Sequence, residues 1–231
     1  MRHISRWLGI EPNPLSLKEK AVSSLGALVG IGVTALISVQ LFPLHDAMLV
    51  VGSMGASAVL LFAVPHGQLS QPWPAAVGQL VSALVGVACA MSVPNEVLAA
   101  ALAVSLAVLA MHLTRSMHPP GGATSLIAVI GGPAIHALGF TYVLLPVALN
   151  ALSILLVALL FNNLFGWRRY PAALARREAG ELSMPDAGLS RADIEYAIRQ
   201  EDSTIDVTEE ELLRIYVQAI RHREAGNKID R

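Results

Sequence analysis

The sequence predicts an all-α, polytopic membrane helical bundle followed by a short cytosolic helical tail. Of its 231 residues, 54% are hydrophobic, and the mean hydropathy is +0.57; both values are typical of a membrane protein. Between residues 21 and 166 only Asp46, Glu96 and Arg115 carry a formal charge. The remaining charges lie towards the two ends. The net charge of −1 therefore combines a nearly uncharged apolar region with charged ends, and it describes neither of them.

This distribution of charge divides the chain into three parts. We expect residues 1–20 to form a cytosolic leader, residues 21–166 the transmembrane domain and residues 167–231 a charged cytosolic helical tail. Trp167 beside Arg168 is typical of an anchor at the membrane interface. The sequence has no basic patch suited to nucleic acid.

Six apolar stretches separated by proline, glycine or polar turns make up the transmembrane domain. A helix rises about 1.5 Å per residue, so about 20 residues cross the hydrocarbon core. Glycine and serine interrupt the second stretch, and the fifth is too short to cross alone, so both are expected to be broken or re-entrant. The stretches are Ala21–Phe42, Asp46–Val64, Trp73–Val93, Val97–Leu113, Leu126–Gly132 and Gly139–Leu164.

The stretch from Met117 to Ser125 is the most unusual part of this domain. Two prolines follow His118, and they cannot continue an ordinary helix, because proline lacks an amide donor and clashes with the preceding turn. Two glycines then allow another group to approach the backbone closely. A helix break inside a membrane is costly, since the freed backbone groups need partners without bulk water. We therefore predict that this stretch is the working site.

The two halves of the domain resemble each other. The segments Ser53–Ser57 and Ser116–Thr124 each precede an apolar run that ends at a proline, and the second contains an insert of residues 118–121. Gln79 and Asn150 occupy matching places in later spans, each with a serine three residues further on the same helix face. These matches predict two pseudo-repeats, each with a broken or re-entrant Gly-rich segment.

The number of crossings stays open between four and six. Basic residues flank the domain on both sides, so both termini are expected in the cytoplasm of a bacterial inner membrane, which requires an even number. If each broken segment crosses, there are six crossings, with His66 and Arg115 on the cytoplasmic side and Glu96 outside. If each broken segment re-enters, there are four.

The broken segments predict a site for a small anion, formed by two paired half-helix N-termini that begin near Gly55 and Gly122. A helix N-terminus offers amide donors and a partial positive charge. Neither segment contains an acidic side chain, which disfavours a cation. The candidate binding residues are Ser53, Gly55, Ser57, Gln79, Arg115, His118, Gly121, Gly122, Thr124, Ser125 and Asn150.

Several of these residues also have a purely structural interpretation. His118 then caps a helix, and Arg115 only extends its side chain to the interface. Gln79 and Asn150 must bond within the protein, so they either link helices or line a path. The sequence shows no catalytic dyad, nucleotide-binding loop or metal-ligand spacing, so we expect no enzyme activity, cofactor or metal.

The run Met117-His118-Pro119-Pro120-Gly121-Gly122-Ala123-Thr124 resembles the signature of the HPP family of integral membrane proteins. Three further segments support this resemblance: residues 53–62, the loop 70–72 and the end of the last apolar stretch at 161–171. The resemblance covers roughly residues 20 to 171. Family members are described as having four membrane spans, and some are implicated in nitrite or nitrate transport. The resemblance therefore implies transport of a small nitrogen oxyanion.

We accordingly expect a channel or transporter for nitrite or nitrate in contact with the lipid bilayer. Coupling to a proton carried by His118 is a further hypothesis, because an unperturbed histidine changes charge near neutral pH. The alternative is a non-transporting scaffold or sensor whose tail binds a cytosolic partner. Six short crossings enclose little volume, which makes a homo-oligomer plausible.

Overall fold

The computed structural model describes residues 15–174 and 215–216, and the described chain is predominantly helical. A π-helical segment, Val143–Ala148, leads into the last long helix, and short 3-10 turns occur at Gln68–Ser70 and Gly166–Arg168. The α-helices are α1 (Leu17–Leu41), α2 (Leu44–Ala63), α3 (Pro72–Ser92), α4 (Glu96–Leu113), α5 (Pro120–Ile130), α6 (Gly132–Leu138) and α7 (Leu149–Asn163).

The helix ends follow local sequence signals. Ser16 caps α1, its side chain accepting a hydrogen bond from the Glu19 amide at 3.1 Å, and Asn95 caps α4 in the same way through the Leu98 amide at 2.9 Å. Pro72 starts α3 at a position where a missing amide proton costs nothing. Most of the predicted leader and tail lies outside the described residues.

Among the described residues, five helical runs are long and apolar enough to cross a membrane, namely α1 to α4 and Val143–Asn163. The pair α5–α6 passes the same test together but is bent by 101°. The bend occurs at Gly131 and Gly132, and Gly132 has a φ of 79°, a conformation that glycine adopts without strain. The predicted interruption after α4 is also confirmed, because α5 begins only at Pro120.

Contacts between helix ends place the start of α1 and the end of α7 at one end of the bundle. Glu19 on α1 pairs with Arg168 just after α7, and Asn162 of α7 donates to the Leu61 carbonyl near the end of α2 at 3.0 Å. A chain that enters and leaves a membrane at the same side crosses it an even number of times. If all five long runs cross, the bent pair α5–α6 is the sixth, which fits the six-crossing alternative.

Helix α2 corrects one prediction. It runs without interruption from Leu44 to Ala63, so no half-helix begins at Gly55 and the expected pairing of two half-helix N-termini is wrong. A single helical glycine costs only about 1 kcal/mol relative to alanine, which the intact backbone hydrogen bonds of a 20-residue apolar helix outweigh. Only the second half contains a broken segment, and the pseudo-repeat stays a prediction.

Small residues bring α3 and α5 into close contact. A Cβ added at Gly78 would lie 2.5 Å from the Ser116 carbonyl oxygen, and one at Gly86 would lie 2.5 Å from the Ser125 carbonyl oxygen. A Cβ at Gly121 would lie 2.5 Å from the Ser82 hydroxyl oxygen. The α3 backbone therefore holds the start of α5 in position, and with it the residues that follow His118.

Candidate functional site

A buried chain of hydrogen-bonded polar side chains joins α2, α3 and α5 inside the bundle. Its members are His118, Ser57, Gln79 and Thr124, and each is no more than 1% exposed. Ser57 lies six residues before the end of α2, an axial distance of about 9 Å. The chain therefore lies inside the bundle, closer to the membrane end that contains Glu19 and Arg168.

The hydrogen bonds of His118 define its tautomer. Its Nδ1 lies 2.9 Å from the Leu69 carbonyl oxygen, which only accepts, so Nδ1 carries a proton and donates. Its Nε2 lies 2.9 Å from the Ser57 hydroxyl. In the neutral imidazole this nitrogen accepts, so Ser57 donates its proton to His118.

The remaining bonds run in the same direction. Because its proton goes to His118, the Ser57 oxygen is an acceptor for the Gln79 amide nitrogen, which donates at 3.1 Å. The amide oxygen of Gln79 accepts from the Thr124 hydroxyl. Each of these groups is thus paired with a neighbour of the correct type, which is how buried polar groups avoid a desolvation penalty of about 1–3 kcal/mol each.

The backbone amides at the start of α5 are also occupied. Pro119 and Pro120 have no amide proton. The Gly121 amide donates to the His118 carbonyl at 2.8 Å, and the Gly122 amide donates to the Pro119 carbonyl at 3.0 Å. In this conformation the first turn of α5 therefore offers an anion fewer donors than the sequence alone suggests.

The other candidate residues fall outside the chain of hydrogen bonds. Ser53 and Ser125 donate to carbonyls of their own helices, Val50 and Gly122 respectively, at 3.3 and 2.9 Å. A Cβ added at Gly55 would contact nothing, and one added at Gly122 would reach only a valine side chain at 3.9 Å. Neither glycine is therefore required for close packing. The sequence predicted all four as ligand contacts.

Asn150 and Arg115 also lie apart from the polar chain. Asn150 is buried on α7. Its side-chain oxygen accepts from Ser38 of α1 at 3.0 Å, while its side-chain nitrogen has no hydrogen-bond partner among the described residues. Arg115 is exposed after α4, with a φ of 53°. Asn150 thus links two helices, and Arg115 is at the surface of the bundle.

Sequence inspection missed three contributors to the site. The Leu69 carbonyl orients His118, and the Tyr142 hydroxyl donates to the Thr124 carbonyl at 3.1 Å. Gly78 contacts the turn at His118. The only sequence feature that could have predicted any of these contacts is the spacing Gly78-x3-Ser82-x3-Gly86. Small residues four apart are typical of closely packed helix pairs in membranes.

Within residues 15–174 the site has no ionised partner and no metal-binding geometry. Its members are a histidine, two hydroxyls and an amide, and within the described part of the chain no carboxylate, lysine or arginine bonds to them. No group of three or more histidine, cysteine or carboxylate side chains within the described residues is arranged to hold a metal ion. The side chains therefore form a chain of neutral hydrogen bonds within the protein.

Comparisons with known proteins agree with the membrane architecture. A family model described as the HPP transmembrane region matches residues 12–171. A transmembrane protein of Dictyostelium discoideum is 40% identical over 177 residues, covering 74% of this chain and 57% of the relative. A second transmembrane protein of that organism is 38% identical over 179 residues, covering 74% of this chain and 62% of the relative. The chain thus spans about three fifths of these relatives, and no solved structure matches it significantly.

Proposed function

Because the chain belongs to the HPP family of transmembrane proteins, we propose that it moves a small inorganic anion, nitrite or nitrate, across a membrane. The observation that supports this proposal is the buried chain His118–Ser57–Gln79–Thr124. Ionisable side chains such as that of His118 are rare inside a membrane domain and typically mark the path of a solute. The proposal involves no enzymatic step and no cofactor.

The composition of this chain favours an anion. When the hydrogen bonds between its members open, Ser57 and Thr124 release hydroxyl donors and Gln79 releases an amide donor. No carboxylate is within the chain to repel a negative charge or to bind a cation. Donors held in surroundings of low dielectric constant interact strongly with an anion, which offsets part of the loss of its hydration.

The proposed transport requires a change of conformation. The chain connects α2, α3 and α5, and its hydroxyl protons are all used within the protein in the present state. The present state is therefore closed, and a shift of α5 and the turn before it relative to α2 and α3 would separate His118 from Ser57 and Thr124 from Gln79. We expect the bend at Gly131 and Gly132 to be the hinge of this shift.

The orientation in the membrane follows from the basic residues at one end. Lys18, Lys20, Arg168 and Arg169 all lie at the end of the bundle where α1 begins and α7 ends. We assign this end to the cytoplasm of a bacterial inner membrane, because basic residues near helix ends favour that side. The polar chain then lies in the cytoplasmic half of the bundle.

Flux measurements in liposomes test this function. The full chain is expected to carry nitrite down a gradient faster than empty liposomes do, and Thr124→Val is expected to lower the rate about tenfold or more, because it removes a hydrogen bond to a charged solute. Thr34→Val is the matched control, since Thr34 is also buried but donates to the Gly30 carbonyl of its own helix at 2.8 Å.

The same experiment separates transport from a scaffold or sensor function, which the closed, fully paired chain of side chains also fits. A folded wild-type protein that moves neither nitrite nor nitrate above the empty-liposome rate would contradict transport and favour the scaffold. Equal rates for Thr124→Val and Thr34→Val would contradict the role of the polar chain.

A further inference from the structure

A long apolar groove lies between α3 and α4 on the outer surface of the bundle. Its volume is about 500 Å³, and Ser92 is its only hydroxyl-bearing lining residue. Along α4 the lining extends from Leu102 to Leu113, a rise of about 17 Å. From α3 the lining continues to Val93, beside the start of α4, so the groove runs along most of the hydrocarbon core of about 30 Å and Leu102–Leu113 covers the part that ends near Arg115. Leu106, Leu109 and Leu113 are all more than 40% exposed, so the groove opens towards the lipid.

A positive charge follows the last lining residue of the groove. Arg115 comes two residues after Leu113, is exposed, and has no ion pair among the described residues. The nearby indole of Trp73 donates to the Thr114 carbonyl at 3.2 Å, and tryptophan at a helix end is typical of the headgroup region. An apolar groove and a cation at headgroup depth together match the two parts of an anionic phospholipid.

The backbone at Arg115 supports this assignment. Its amide donates to the His112 carbonyl at 3.1 Å, and the Ser116 amide donates to the Met111 carbonyl at 2.8 Å, which together form the Schellman ending of a helix. Arg115 occupies the left-handed position of this motif, with a φ of 53°, where glycine is the least strained residue. An arginine at this position has a strained backbone conformation, and its exposed guanidinium is available to a ligand.

We propose that the α3–α4 groove binds one anionic phospholipid, with an acyl chain along Leu102 to Leu113 and the phosphate on Arg115. The lipid would cover α4 and the turn that leads from α4 to His118. This site is independent of the anion path inside the bundle, because its lining faces outwards and shares no residue with the polar chain.

Native mass spectrometry of the purified full chain tests the lipid site. The chain is delipidated and titrated with phosphatidylglycerol or with phosphatidylcholine of the same acyl chains. Phosphatidylglycerol is expected to bind at one site per chain with about fivefold higher affinity, since one basic side chain near a membrane surface contributes about 1 kcal/mol. Arg115→Gln is expected to remove this preference and Arg115→Lys to keep most of it.

Two further variants make the result decisive. Lys20→Gln removes an exposed charge at the same end of the bundle, on α1, and should leave the preference unchanged. Ala110→Trp fills the groove and should weaken binding of both lipids, while size-exclusion chromatography reports whether this variant is folded. An equal preference in the wild type and in Arg115→Gln would overturn the proposal. So would a wild-type dimer that Ala110→Trp converts to monomer with its lipid binding unchanged, because a second copy would then occupy the groove.

Discussion

Replacing Arg168 with methionine is expected to lower the free energy of unfolding by about 3–5 kcal/mol, the cost of removing one partner from a buried ion pair. Arg168 is 1% exposed although it follows the last membrane helix. All three of its nitrogens donate, to Asn162, to the Phe62 carbonyl, to Ser23 at 3.1 Å and to Glu19. The side chain thus joins the start of α1 to the ends of α2 and α7.

Burial lowers the pKa of Arg168, and the nearby Glu19 carboxylate opposes this shift. The variant Arg168→Lys is expected to recover only part of the stability, because an ammonium group cannot reproduce the planar set of donors. Unfolding in a denaturing detergent titration measures the change. Lys20→Met is the control, because Lys20 is exposed and also lies on α1. If Arg168→Met and Lys20→Met had the same free energy of unfolding, Arg168 would not stabilise the contact between the start of α1 and the ends of α2 and α7.

Replacing Gly86 with alanine is expected to destabilise the bundle by about 1–3 kcal/mol, the typical cost of overpacking. The new methyl group would lie 2.5 Å from the Ser125 carbonyl oxygen and 2.8 Å from the Ala128 Cβ. Both belong to α5, whose backbone cannot shift alone without also disturbing the contacts at Gly78 and Gly121. The helices α3 and α5 would therefore separate.

The same substitution at Gly55 gives the opposite expectation and serves as the control. No atom lies within 4 Å of a Cβ at that position, and alanine in a helix is favoured over glycine by about 1 kcal/mol. Gly55→Ala should therefore unfold at a slightly higher detergent concentration than the wild type, and Gly86→Ala at a lower one. Shifts of the same sign in both variants would show that packing against α5 does not decide the effect.

Much of the fold could be predicted from apolar length and from proline. The long helices were expected close to their observed positions, and the break before α5 was expected because Pro119 and Pro120 cannot continue a helix. The expected break in α2 was wrong because it rested on glycine and serine, with no proline in that stretch. Glycine weakens a helix slightly, whereas proline removes a hydrogen bond and adds a clash.

The contacts within the site could not be predicted in the same way. Ser57 and His118 are 61 residues apart, and their hydrogen bond depends on how α2 and the turn before α5 pack together. Gln79 was recognised as a polar residue needing a partner, but its two partners were not identified. Arg168 was expected at the interface, since a charge beside tryptophan usually lies there, and only the contacts around it show that it is buried.

Nitrite flux through liposomes containing Gln79→Met addresses the proposed anion path most directly. Gln79 is the only member of the polar chain that bonds to both hydroxyl residues, Ser57 and Thr124, and methionine preserves its approximate size. We expect a folded Gln79→Met protein to lose at least about 90% of the wild-type flux, a change of roughly 1.4 kcal/mol in the activation free energy. Ser153→Ala is the control and should retain the wild-type flux, because the Ser153 hydroxyl donates to the Leu149 carbonyl of its own helix. Wild-type flux through folded Gln79→Met would contradict a path along these side chains.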